Sequence, residues 1–310
     1  MKYPLLFLTV FAIFIFGCQS NQDKNELSET IVSETKESTT NPEEAAIKAT
    51  VEELLFAAGN YNIEALDDMI SDKANFGIAI LMDGVWKNSV ITIGEYFEKT
   101  KHRKLEPYYE PVNEYIIHIN EGQIAFVWAD ATLHKYGVPR TRNIDNFTLI
   151  KEEGEWKFIN LSFTNNRLPE EKRKYDLEIF ARSYAQAWGS NRPNFVASYF
   201  AEDGAIQVND GDPAIGRTAI TKVAQGFMTD LPDMIVRYDS LVPKSKGTEF
   251  HWTLIATNSG PNGTGNKVKV SGYEFWQLDD NGLIMNSQGH FPTEEYNRQM
   301  NLESIINKCQ

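Results

Sequence analysis

The sequence predicts an α+β protein of two tandem domains, in each of which helices come first and a meander of long antiparallel strands follows. Two observations carry this. The same order of helical and strand signals occurs twice, with corresponding features roughly 127–131 residues apart. Within each copy, segments of helical period give way to long runs that alternate apolar and polar, some joined by Glu-Gly and Asn-Gly turns, which are hairpin signals.

The first copy opens on "PEEAAIKATVEELLFAAGNYN", where Ala46, Ile47, Val51, Leu54 and Leu55 recur at helical spacing. Pro42 and two glutamates suit a helix start, and Gly59-Asn60 suits its end. The second copy opens on "YDLEIFARSYAQAWGSNRP", again with a glycine just past the periodic residues. A short helix and a strand follow in each, "IEALDDMISDKANFGIAI" and "PNFVASYFAEDGAIQV". A second helix comes next, "ITIGEYFEKT" and "AITKVAQGFMTD". Long strands then alternate in "QIAFVWADATLHKY" and "TEFHWTLIATNS", and in "RNIDNFTLIKE" and "KVKVSGYEFWQLD". Each copy closes on a turn and a last strand, "EEGEWKFINLSF" and "DDNGLIMNSQGHF".

The segment "MKYPLLFLTVFAIFIFGCQS" has the size of a secretory signal, with an apolar run from Leu5 to Phe16 that is short for a membrane span. Its end, Ile15-Phe16-Gly17-Cys18, resembles the bacterial lipobox. That resemblance implies lipidation of Cys18 and a lipid-bilayer anchor in the cell envelope. Gln19 after the cysteine favours the outer membrane. Residues 19–42 are polar and poor in large apolar side chains, so they read as a flexible tether of roughly 25–30 Å end to end. The boundaries drawn are 1–17 for the signal, 18–42 for lipidated cysteine and tether, 43–165 and 175–300 for the domains, 166–174 for the linker and 301–310 for a tail.

The formal net charge of −13 argues against nucleic acid as a partner. Only Cys18 and Cys309 are cysteines, which leaves no disulfide framework and no cysteine-based zinc site. No histidine pair has metal-ligand spacing, and no cofactor is expected. The glycine-rich "GPNGTGNK" is a hairpin tip, since its lysine is misplaced for a phosphate loop.

The order helix, short helix, strand, helix and several long strands resembles the nuclear transport factor 2-like superfamily. In the second copy Asp203-Gly204, Gly216 to Ile220 and Pro232-Asp233 stand at spacings similar to those of SnoaL-like polyketide cyclase relatives. The resemblance implies two cone-shaped domains, each a curved antiparallel sheet packed on N-terminal helices around an apolar pocket. It also implies dimer-like packing through the sheets, either as an internal pseudo-dimer or as a homodimer.

Enzymes of that superfamily use a proton-transfer group in an apolar cavity, where burial lifts a carboxylate toward neutrality. The positions where the cyclase relatives carry aspartate fall here on Gly289 and Pro292, and their tryptophan falls on Gln288. His290, between the two vacancies, is one candidate base, because imidazole titrates near neutrality unaided. Strict alternation sets it with Gln288 and Asn286, opposite an expected packed face of Leu283, Met285 and Phe291. Glu274 is the other candidate, sharing a face with Gly272 and Trp276 amid aromatics, and its bland alternative is an exposed partner for a cation. Trp252, Trp276, Phe227 and Tyr199 are the candidate ligand-binding aromatics, and of His251 and Trp252 the tryptophan is expected to point inward.

The first copy reads as structural or as a binding cup. Its last strand, "WKFINLSF", has no acid or histidine. Asp130 and His134 share a strand face but lie about 13 Å apart. Tyr108 and Tyr109 stand in "LEPYYEPVNEY", an edge or bulge entry to a strand.

Three functions remain open: a tethered binder of an apolar or aromatic small molecule, an isomerase, cyclase or hydratase with a base in the second domain, and a scaffold for protein partners.

Overall fold

The computed structural model describes residues 41–300. The signal segment, Cys18, nearly all of the tether and Cys309 lie outside the described residues. Among the described residues no helix is long and apolar enough to cross a membrane.

The first half starts with helix α1 (Pro42–Gly59), capped by the Asn41 side chain, and helix α2 (Ile63–Met69), capped by Asn62. Strands β1 (Ile70–Met82) and β2 (Val85–Thr92) form a hairpin, followed by helix α3 (Ile93–Lys101) behind a Thr92–Glu95 capping box. Strands β3 (Val112–Asn120), β4 (Ile124–Lys135), β5 (Val138–Glu152) and β6 (Glu155–Arg167) complete the sheet. The second half repeats the scheme with α4 (Leu177–Trp188), α5 (Pro193–Ser198), β7 (Phe200–Val208), β8 (Ala214–Ile215) and α6 (Arg217–Asp230). It continues with β9 (Ile235–Lys244), β10 (Gly247–Thr257), β11 (Lys267–Leu278), β12 (Ile284–His290) and α7 (Thr293–Met300).

The two six-stranded sheets have the same order, β2-β1-β6-β5-β4-β3 and β8-β7-β12-β11-β10-β9. The predicted α+β class and the two sheet-on-helix halves are what the chain forms. One pair in each sheet is parallel, β1 with β6 and β7 with β12, and the intervening elements supply the long return that a parallel pair needs. Each sheet covers its own core. In the first, Ile47, Val51 and Leu54 of α1 meet Val127, Leu149 and Phe158. In the second, Phe180 and Tyr184 of α4 pack on Phe250 and Trp276.

Three details were not read from the sequence. Asp83 and Gly84, both at positive φ, turn β1 into β2 with Met82 paired to Val85, a two-residue hairpin of the kind that Asp-Gly favours. Helix α7 follows the last strand, with Met300 buried and Gln299 bonded to the backbone of Lys269. On β12, a register shift between Gln277 and Leu278 opposes Leu278 to Ile284 and Gln277 to Asn286, leaving Met285 without an opposite residue. This bulge takes Met285 out of the expected packed face, whose other members, Leu283 and Phe291, do pack on the core. Ile284, Ser287 and Gly289 point inward, while Met285 is exposed.

The halves meet through helix ends and turns rather than sheet to sheet. Arg192 donates to the carbonyls of Asn60 and Tyr61, both at 2.8 Å, and Gln186 donates to that of Tyr108 at 3.0 Å. Tyr136 packs edge-on to Tyr199. Gly137 sits at φ +75°, and a Cβ there would approach the Asp176 carbonyl to 2.7 Å, so this turn needs glycine both for its conformation and for its contact with α4.

Candidate functional site

Each half has a cavity between sheet and helices, and the two differ greatly in size. In the second half the pocket is narrow, about 60 Å³, enough for a few waters. Trp188, Phe227, Trp252, Leu254 and Phe291 line it, with Glu274 as its one acidic group. Glu274 is 6% exposed. Its Oε2 accepts from Ser287 Oγ at 2.6 Å, Trp276 Nε1 at 3.0 Å and the Tyr184 hydroxyl at 3.1 Å. Burial raises its pKa, and these three bonds oppose the rise without cancelling it.

Of the residues singled out in the sequence, Glu274, Trp252 and Phe227 come together at this pocket. The others do not. His290 is exposed at the end of β12 and packs on Tyr273, 5.0 Å between ring centroids, because it alternates with the inward-facing Gly289 and Ser287 and so takes the opposite face. Trp276 is wholly buried, stacked 4.6 Å from Phe250, and serves the core and Glu274 rather than the pocket wall. Tyr199, 1% exposed, is wedged among Phe180, Tyr184 and Tyr136.

The cavity of the first half is about 480 Å³, within the range of small-molecule sites. Its apolar wall comes from Leu54, Leu66, Phe76, Ile91, Phe147 and Leu161. Tyr61, Tyr96 and Tyr108 add aromatic faces, and Lys99 and Arg103, both exposed, stand where it opens to solvent. Two carboxyl groups face the same space. Glu110, from the loop before β3, accepts from Asn143 Nδ2, and Asn165 in turn donates to Asn143 Oδ1 at 3.1 Å. Asp145, on the inward face of β5 with Asn143 and Phe147, is 4% exposed, and its Oδ2 is sealed from solvent without a hydrogen-bond partner.

Burial lifts both acids well above the usual carboxylate range. For Asp145 the charge of Glu110 adds to the effect, and for Glu110 the Asn143 bond opposes it. The nearest cation on β4 is already engaged: Lys135 pairs with Glu106 at 2.8 Å. Tyr96 and Tyr108 are pushed upward mainly by burial and stay neutral phenols. The cavity therefore combines an apolar body, neutral hydroxyls and an acid pair with no buried counter-ion. Among the described residues no acid, histidine or cysteine cluster is arranged to hold a metal ion.

A profile for the SnoaL-like domain family matches part of the chain. Residues 181–286 match it. That stretch runs from α4 into β12 and contains Glu274, but it stops before Gly289 and His290. No curated protein matches the chain in sequence. Among solved structures, a ketosteroid isomerase-like protein from Catenulispora acidiphila, in complex with trimethylamine, is 17% identical over 38% of this chain and 88% of its own, at a TM-score of 0.34. A putative SnoaL-like polyketide cyclase from Jannaschia is 13% identical over 40% of this chain and 90% of its own, at 0.36. A putative polyketide cyclase from Bacillus cereus is 12% identical over 44% of this chain and 86% of its own, at 0.35. At these scores nothing about ligand or activity carries across.

The larger site was the one the sequence concealed. Glu110 sits between prolines in a segment that reads as a strand entry, and Asp145 lies on a strand without a flanking aromatic run. The signal available was the alternation Asn143, Asp145, Phe147, Leu149, whose apolar members mark the inward face. Asp130 and His134, which stood out in the sequence, have separate partners: Asp130 pairs with Arg142 at 2.6 Å, and the His134 ring meets the Thr132 carbonyl at 2.8 Å.

Proposed function

We propose that this protein is a lipid-tethered binder of a small apolar or aromatic molecule in the bacterial envelope, and that its first half carries the binding site. The observation that carries this reading is the cavity of about 480 Å³ with a mostly apolar wall and a small number of polar groups converging on it. The segment ending in Gly17-Cys18 supports the tether and an outer-membrane address. The second half braces the first through Arg192 and Gln186, and its own pocket of about 60 Å³ leaves too little room for such a molecule.

A second reading, proton-transfer chemistry in the SnoaL-like half, has one specific observation in its favour: Glu274 is a buried acid of raised pKa at the wall of an apolar pocket. Pocket size counts against it, and so does the fixing of Oε2 by three donors.

The test is to purify the chain from its own cells and weigh it under native and denaturing conditions. A reproducible extra mass, released on denaturation and recovered in an organic extract, supports binding. A bare polypeptide under gentle extraction contradicts it.

A further inference from the structure

The polar end of the first cavity indicates what kind of molecule fits. Asp145 is 4% exposed, lines the cavity and has no hydrogen-bond partner for its sealed Oδ2. Glu110 faces the same space and is held by one neutral donor, Asn143. Two acids of one sign, one buried and one half-buried, that face one space without a cation between them are costly when ionised, and an unpartnered buried oxygen is costly in either protonation state.

The charged groups around the pair do not relieve it. On β4, Asp130 is tied to Arg142 and Lys135 to Glu106, which Lys104 also holds at 2.9 Å. From α3 and the turn after it, Lys99 and Arg103 are exposed where the cavity opens. Asn143 and Asn165 on β5 and β6 are neutral, and burial pushes the phenols of Tyr96 and Tyr108 upward.

The rings provide a second, independent indication. Phe76 and Tyr96 stack at 4.6 Å, and Tyr61 meets Tyr108 edge to face at 5.9 Å. All four line the cavity, together with Phe147 and Phe163. Aromatic faces attract ammonium groups, and most strongly where water is excluded. An anionic ligand would meet the acid pair unfavourably, and a purely apolar one would leave Asp145 unpartnered.

We propose that the first-half cavity is a site for an apolar amine, its ammonium nitrogen held by Asp145 and Glu110 and its hydrocarbon body lying against the aromatic and aliphatic wall. This rests on the reading that the cavity binds a small molecule, and it names the ligand class. Binding exchanges a proton of the acid pair for the ammonium ion. Affinity therefore rises with pH until the pair has lost that proton, and protons appear in the buffer.

The test is isothermal titration of the full chain with three matched probes, 4-phenylbutylamine, 4-phenylbutanol and 4-phenylbutanoate, at pH 6, 7 and 8 in buffers of different ionisation enthalpy. The amine is expected to bind at least about tenfold more tightly than the alcohol. Its affinity should rise by up to about tenfold per pH unit with proton release. Asp145→Asn should abolish the proton release and flatten the pH dependence, and Glu110→Gln provides the same reading should the first variant not fold. Equal affinity for amine and alcohol, or amine binding that ignores pH and Asp145, overturns the amine assignment while leaving the cavity as a binding site. If none of the three probes binds, both fall.

Discussion

Glu274 and Gly289 oppose each other across the β11–β12 ladder, and a Cβ on residue 289 would stand 3.7 Å from Glu274 Cγ. The carboxyl present in this half thus occupies the neighbourhood of a position at which the resemblance to polyketide cyclases expects aspartate. Its Oε2 accepts there from three buried donors, Tyr184, Trp276 and Ser287. Glu274→Leu strands those donors and should cost about 2–5 kcal/mol at pH 5. The folded-state pKa of Glu274 is raised, so its contribution is fully present below the unfolded value and is lost as pH rises through the folded one. The difference between wild type and variant should therefore narrow from pH 5 to pH 8, measured by urea denaturation.

Asp145 behaves in the same sense in the first half. Burial raises its pKa, so the protein loses stability as pH climbs and the pair is forced to ionise. Asp145→Asn removes one buried charge without changing shape. It should stabilise the ligand-free chain by about 1–3 kcal/mol at pH 8 and change little at pH 4. Denaturation midpoints at the two pH values check this.

His290 makes the opposite case. It is exposed, ends its strand, and its ring packs on that of Tyr273. His290→Ala should alter stability by no more than about 0.5 kcal/mol and leave ligand binding unchanged. Thermal unfolding and native mass measurements on the variant test both parts.

Arg192 couples the halves by two hydrogen bonds to backbone carbonyls of the α1–α2 turn. Arg192→Ala leaves both carbonyls short of a charged donor and should cost about 1.5–3 kcal/mol. Because each half has its own core, calorimetry should show the single transition broaden or divide.

Much of the fold was legible because a duplication shows itself twice. The helical period at Ile47, Val51 and Leu54 returns at Phe180 and Tyr184, and all five face their cores. Alternation on β11 correctly set Glu274 and Trp276 on one inward face. It held for Gln288 to Phe291 but failed at the start of β12, where the bulge turns Ile284 inward and Met285 outward, and a bulge leaves little trace in a single sequence. Alternation also says which face a residue takes but not how far a sheet curves away from its helices. For that reason Trp276 and Tyr199, rightly placed inside, proved to be core, and the roomy cavity turned out to lie in the half with less conspicuous residues. Glu110 and Asp145 come from a loop and a strand that only the folded sheet brings to one space.

The most direct measurement compares wild type with Ala58→Phe, which projects a ring into the first cavity from α1. Both are purified from their own cells and weighed by native mass spectrometry. An extra mass is expected on the wild-type chain and none on a folded variant. A bare wild-type chain, or an extra mass that survives the filling of the cavity, would contradict binding in this cavity.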